Sequence, residues 1–258
     1  MKENNEFDKG ANQWAGFREF PWNRLRYELT HDNIVSVISK NISSVLNVGC
    51  GDGIESYLFD SPHISHTLTD ISSEMIEKAK ILRKEMDVSG DFEYIQADVS
   101  DLSALSGRKY DLILLHNVLE YTDPTEAIEN TSALLASDGL LSLRHLNKFS
   151  NPYIAAFNND IDTALEQIDS GSMTSSFGME IMTYSAEEIR FILSKLGIDI
   201  VCFHGIMSLC NYFIKNELKY DANVYDKLKT LEKKLSKAHP HYLLSRFGHF
   251  LCRKTQVT

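Results

Sequence analysis

Three short stretches carry residues whose types and spacing could hold a nucleotide-like molecule. The stretch VLNVGCGDG, residues 45–53, runs from an apolar segment into a loop with glycine at 49, 51 and 53. Glycine tolerates positive φ and lets a ligand approach the backbone, and a helix that follows presents free N–H groups. Gly49, Cys50, Gly51 and Gly53 are therefore candidate ligand contacts. Taken alone, such a loop suits NAD, FAD, a free nucleotide or S-adenosylmethionine. Asp70 follows about 20 residues on, where an acid bonds ribose hydroxyls. Asp98 offers a third point, where a loop acid or its backbone can meet an adenine. The histidines His116 and His145 follow or end apolar runs and are the groups that could serve as a general base.

These residues need a sheet to bring them together. Apolar runs at 44–48, 66–69, 92–96, 110–115 and 140–145 read as strands, with helices expected at 54–59, 74–86 and 125–135 and a turn at 137–139. Ser72 or Ser73 is the expected cap of the second of these helices. Strands alternating with helices predict an α/β fold with a parallel sheet, and ligands of such sheets bind at the carboxyl ends of the strands. The glycine loop, Asp70, Asp98 and His116 all fall at those ends. Before the first strand lies a cap, residues 1–40, rich in aromatics (Phe7, Trp14, Phe17, Phe20, Trp22, Tyr27), with Gly16 and Pro21 as breaks and a helix expected from Tyr27 to about Lys40. The cofactor-binding core spans 41–148. The rhythm breaks at 149–184, which reads as an inserted lid with one helix near 154–168. It resumes over 185–258 with a helix at 186–196, a strand at 198–203, a mostly helical 212–237 and a last strand at 247–253. All of this fits one domain of 258 residues.

Composition excludes several classes. With 43% hydrophobic and 24% charged residues the chain is an ordinary globular one, not a disordered or collagenous one. No apolar run reaches 18 residues and the start is polar, so a cytoplasmic protein without a membrane span is expected. Cys50, Cys202, Cys210 and Cys252 show no metal-ligand spacing; reduced thiols and no metal site are expected. Residues 1–210 hold 16 Lys/Arg against 32 Asp/Glu, whereas 211–258 hold 10 against 4, so only the C-terminal stretch could meet a polyanion.

The series VLNVGCGDG, LTDIS, QADVSDL, YDLILLHNVLEYTDP and ASDGLLSL resembles the Rossmann-type (class I) S-adenosylmethionine-dependent methyltransferases over residues 45–145. The resemblance implies a Rossmann-like seven-stranded sheet ending in an antiparallel hairpin, with S-adenosylmethionine as cofactor. Asn47 departs from it, because the family usually has Asp there. PWNRLRYELTHDNI, DLILLHNVLEYTDP and YLLSRFGHFLCRK are similar to the branch that contains tRNA 5-carboxymethoxyuridine methyltransferase. That likeness implies that Arg26 meets the cofactor carboxylate and that Gly49, Cys50, Asp70 and His116 also meet the cofactor. Ile71, Met75, Ala97 and Val99, beside these motifs, complete the expected cofactor set.

No residue stands out as catalytic. Methyl transfer from sulfonium is an in-line displacement in which the enzyme mainly aligns the partners and excludes water. The lid points to the acceptor: residues 149–189 contain no Lys, Arg or His but seven acids, Asp160, Asp162, Glu166, Asp169, Glu180, Glu187 and Glu188. With Tyr153, Phe157, Phe177 and Tyr184 they suit an amine or guanidinium. The expected acceptor is a small molecule or peptide, methylated on nitrogen rather than oxygen. Trp22, Tyr153, Asp160, Asp162 and Tyr184 are the expected substrate contacts. The alternative is a tRNA wobble uridine, bound through lysines of 227–237. A monomer or weak dimer is expected.

Overall fold

The computed structural model describes residues 7–8, 18–38, 41–175 and 178–255. Helix α1 (Pro21–Val35) packs on a sheet built from β1 (Ser44–Val48), β2 (Ser65–Asp70), β3 (Asp91–Gln96), β4 (Tyr110–His116) and β5 (Leu135–Leu146). Between them run α2 (Ile54–Tyr57), α3 (Ser73–Glu85) and α4 (Pro124–Ala133). The lid segment holds α5 (Asn151–Phe157), α6 (Ile161–Ser170) and a hairpin, β6 (Ser172–Thr174) with β7 (Glu180–Met182). The chain then adds α7 (Ala186–Lys195), β8 (Ile198–Ile206), α8 (Ala222–Leu235) and β9 (Phe247–Lys254). The seven long strands form one sheet in the order β3-β2-β1-β4-β5-β9-β8. β9 is antiparallel to both of its neighbours, and β1 to β5 pair in parallel. This is the expected Rossmann-like α/β sheet with its terminal antiparallel hairpin.

The order reverses between β1 and β4. Connections on either side of that point leave on opposite faces, which opens a crevice at the carboxyl ends of the two strands. Both strands are apolar on both faces, as central parallel strands must be. Leu46, Val48, Ile113 and Leu115 join Phe250 in one layer, and Val45, Leu112 and Leu114 join Ile34 and Leu251 in the other. Helix starts are fixed by side chains: Ser72 accepts from Met75 N, Asp123 from Glu126 N, and Ser185 with Glu188 forms a reciprocal box.

Several elements differ from expectation. Helix α1 runs Pro21–Val35 rather than from Tyr27 to about Lys40; it can start at Pro21 because proline at the first position gives up an N–H that needs no partner. Lys40, Trp14, Gly16 and Phe17 lie outside the described residues. The lid helix is two helices: Asn159 takes φ +62° and Asp160 caps a new start. The stretch 212–237 forms short 3₁₀ turns before α8 begins at the Asp221 cap. The turn at 137–139 lies within β5, as an irregularity in its register with β4. No helix among the described residues is long and apolar enough to cross a membrane.

Gly49 sits where β1 leaves the sheet, with φ +65°, and a Cβ on it would run into Val118 Cγ2. Gly49→Ala is therefore expected to cost about 2–4 kcal/mol, from left-handed strain and overpacking together. Urea unfolding checks this. A loss under about 0.5 kcal/mol, the size of an ordinary surface change, would show that Val118 gives way freely.

Candidate cofactor site

A cavity of about 250 Å³ opens at the crevice between β1 and β4. Arg26 and Tyr27 of α1 close one end, and Gly49, Cys50 and Gly51 form the floor beside them. Asp70, Ile71 and Met75 line the side below β2, and Ala97, Asp98 and Val99 the side below β3. His116 and Asn117 stand at the end of β4. The fold thus brings together every residue expected to contact the cofactor except Gly53. Gly53 lies off the cavity wall. With φ +80° it starts α2, and a Cβ there would meet Tyr57 Oη at 2.6 Å, so glycine is needed for the turn and for the packing of Tyr57.

The expected substrate contacts are not on the wall either. Asp160 is exposed and spends its carboxylate on Thr163 N at 3.0 Å, capping α6. Asp162 points to solvent on the first turn of that helix, and Tyr153 is 53% exposed. Tyr184 bridges to Asn147 and packs on the core. Trp22 stacks on Phe20 at 4.7 Å, against the cluster that joins α1 to α8. Phe177 lies outside the described residues. The acids of α6 serve its N-terminus and its outer face, so they do not supply the cavity with negative charge.

Asp70 takes N–H groups from Gly51 at 2.8 Å and Ser72 at 2.9 Å. Burial nevertheless pushes its carboxyl up to about 6, against the pull of those donors. Asp98 accepts from Ser100 N at 2.9 Å, and Asp52 is salt-bridged to Arg18 at 3.1 Å. Burial, with Asp70 and Asp52 alongside, raises the Cys50 thiol well above its ordinary value, so it is no nucleophile.

The groups that the sequence reading overlooked form the far wall. Glu55 Oε1 accepts from Arg144 Nη1, and Oε2 pairs with His116 Nδ1 at 3.0 Å. Arg144 also donates Nη1 to Thr30 Oγ1 at 2.9 Å, and Nε and Nη2 to Asn117 Oδ1 at 3.0 and 2.8 Å. Burial would raise the Glu55 carboxyl, yet Arg144 and His116 hold it well below its usual range. His116 Nε2 meets Ser142 Oγ at 2.8 Å, Ser142 Oγ meets His249 Nε2 at 2.8 Å, and His249 Nδ1 meets Asn33 Nδ2 at 3.3 Å. An amide NH₂ only donates, so the protons of this row all point one way, and His116 carries its hydrogen on Nδ1, toward Glu55. His145 is off the cavity, fully buried, with Nδ1 on its neighbour's carbonyl, Leu146 O, at 3.0 Å. A signal for Arg144 was present: it is the one charge in LLSLRHL, and a charge inside an apolar strand needs a buried partner.

Among the described residues, two buried atoms on the wall have no partner, Arg26 Nε and Asn117 Nδ2. Both donate, and both fit an incoming carboxylate. With Asp70 at the opposite end, the residues suit an adenosine carrying an amino-acid tail.

Known proteins agree. Residues 46–141 match the family described as methyltransferase domain. The tRNA 5-carboxymethoxyuridine methyltransferase of Escherichia coli K12 is 24% identical over 228 residues, 87% of this chain and 85% of that protein. A ubiquinone biosynthesis O-methyltransferase of Haemophilus ducreyi is 29% identical over 164 residues, 60% of this chain and 67% of its own. Among solved structures, the plantazolicin methyltransferase BamL, in complex with a triazolic desmethylPZN analog and SAH, superposes with a TM-score of 0.60 at 17% identity, covering 96% of this chain and 91% of its own. Magnesium protoporphyrin IX methyltransferase (ChlM) from Synechocystis PCC 6803 with bound SAH superposes at 0.62 and 13% identity, covering 96% and 95%. The chain is an enzyme of the Rossmann-like class, a methyltransferase. More narrowly, it is a class I methyltransferase whose methyl donor is S-adenosylmethionine.

Arg144→Met would leave Glu55 buried without its main counter-charge and should destabilise the fold by about 3–5 kcal/mol at pH 7. The folded value of Glu55 lies below its ordinary 4.5, so the stabilisation is complete above 4.5 and is lost as pH falls further. The gap between wild type and variant should therefore narrow steadily as pH falls below 4.5. A gap that stays constant with pH would show that the pair contributes through packing rather than charge.

Proposed function

We propose that the chain methylates a small molecule or peptide whose nucleophile has no proton to lose at the moment of attack, an uncharged amine before a carboxylate. One observation carries this: each carboxylate and histidine on the cavity wall is already engaged. Asp52 is with Arg18, Glu55 with Arg144 and His116, and Asp70 and Asp98 with backbone N–H groups. His116 uses both ring nitrogens, and burial lowers its proton affinity. A hydroxyl acceptor would call for a free base, and none stands there among the described residues. The acidic lid does not support the reading, since Asp160 and Asp162 are exposed and line no part of the cavity.

In this reading the donor supplies an electrophilic methyl on sulfur. Asp70 holds the ribose hydroxyls, the Ala97–Val99 loop with Met75 and Ile71 encloses the adenine, and Arg26 with Asn117 takes the carboxylate. Tyr27 and Val118 exclude water at the sulfur end, so that alignment does most of the work.

The tRNA alternative draws on the similarity to the E. coli enzyme. Against it, the basic helix α8 is partly neutralised. Lys229 lies 2.7 Å from Glu28, and Lys233 lies 2.8 Å from Asp32, both acids of α1. Lys227 and Lys234 are left beside a shallow groove. With labelled donor and fractionated cell extract, label should enter nuclease-resistant small molecules or peptides. Label in nuclease-sensitive RNA, lost on changing Lys227 and Lys234 to Glu, would reverse the ranking.

Binding of S-adenosylhomocysteine should weaken below about pH 6, because ribose hydroxyls need the ionised Asp70, by up to tenfold for each further pH unit. Asp70→Asn should weaken binding and abolish this dependence; titration calorimetry at pH 5 and 7 tests both. A pH-independent constant in the wild type would remove Asp70 from the contact. Arg26→Ala should raise the dissociation constant about tenfold to a hundredfold, as for a lost charge-assisted pair. An unchanged constant would make Arg26 structural.

A further inference from the structure

The end of β1 carries no acid. Asn47 is buried and donates Nδ2 to Ser56 Oγ at 2.9 Å, so the strand offers no charge to a cationic ligand group. A carboxylate nevertheless reaches this end of the cavity, from the next residue but one before Tyr57. We infer that Glu55 is the anion that holds the ammonium group of the donor's amino-acid tail, a binding role that rests on the donor lying in this cavity as proposed above.

The other acids on the wall are poorly placed for it. Asp70 and Asp98 belong to the ends of β2 and β3, and Asp52 is neutralised by Arg18. Glu55 shares its end with Arg26, whose charge acts on His116 and Arg144, the two partners of Glu55. Each Glu55 oxygen takes one protein donor, Arg144 on Oε1 and His116 on Oε2, and a carboxylate oxygen accepts two. One lone pair on each is left. Arg144 has spent Nε, Nη1 and Nη2 on protein acceptors, whereas Arg26 keeps Nε unpartnered. The wall thus sets a cation with Nη2 on Tyr27 Oη and Nε without a partner among the described residues beside an anion with spare acceptor capacity. That pair complements a zwitterion whose carboxylate and ammonium branch from one carbon. Arg144 and His116 do the further work of keeping Glu55 ionised and its rotamer fixed.

Titration calorimetry on the full chain separates this role from a structural one through the choice of ligand. S-adenosylhomocysteine has the whole tail, its desamino analogue lacks only the ammonium, and 5′-methylthioadenosine lacks the amino acid. Glu55→Gln should weaken S-adenosylhomocysteine about tenfold to a hundredfold, as for a lost charge-assisted contact, and change 5′-methylthioadenosine and the desamino analogue less than twofold. Glu55→Asp, which keeps the charge, should recover most of the loss. Equal weakening of all three ligands, or of none, would overturn the assignment. If Glu55→Gln fails to fold, wild type and Glu55→Asp decide: both must prefer S-adenosylhomocysteine to its desamino analogue at least tenfold, with the preference smaller in Glu55→Asp, and equal affinities would overturn the role. A wild type that binds no adenosine ligand at all would instead sink the placement of the donor.

Discussion

The buried pair of Glu55 and Arg144 is the contact on which the arrangement turns. It joins the helix after the glycine loop to the end of β5, and the same guanidinium reaches Thr30 of α1 and the carbonyl oxygen of the Asn117 side chain. Four segments distant in sequence are thereby fixed around one charge. Burying a guanidinium and a carboxylate costs several kcal/mol per ion unless nearly every donor finds an acceptor. Here the donors do, so the cost is offset and the geometry is rigid. The left-handed backbone of Asn117, φ +57°, follows from it, since that turn presents Oδ1 to two nitrogens of Arg144.

Much of this was legible in the chain itself. The apolar runs marked β1 to β5 within a residue or two, apart from the start of β5, and the glycines, Asp70, Asp98 and His116 fell at their carboxyl ends because a parallel sheet leaves them nowhere else. Arg26 needed the family resemblance, since nothing about an Arg on an amphipathic helix tells which way that helix docks. Glu55 went unread because an acid just after a glycine loop looks like any favourable first-turn residue. Its meaning depends on Arg144, 89 residues away. Acid counts misled at the lid for a related reason: composition shows the sign of a segment but not its outward face, and Asp160 is consumed at a helix start.

The engagement of every acid and histidine on the wall also shapes the chemistry. A site with a poised base would accept many hydroxyl compounds. In the proposed reading, a site without one leaves selection to the nucleophile's own ionisation and to the fit of the acceptor. The lid segment, tied to the core where Arg246 donates to Ser150 and Asn151, lends the cavity wall none of its described residues.

The one-way row from Asn33 through His249 and Ser142 to His116 has an evolutionary consequence. An Asp at position 33 could only accept, so His249 would have to turn its proton outward, Ser142 would reverse, and His116 would face Glu55 with a bare lone pair. Drift at this half-buried position on the cap is therefore not neutral, although the position lies off the cavity wall. Relatives that lose the amide must change a second member of the row in the same step or soon after. Positions 33, 142, 249 and 116 should vary as a set across descendants of this chain, and a lone replacement among them marks a lineage on its way to rebuilding the pocket.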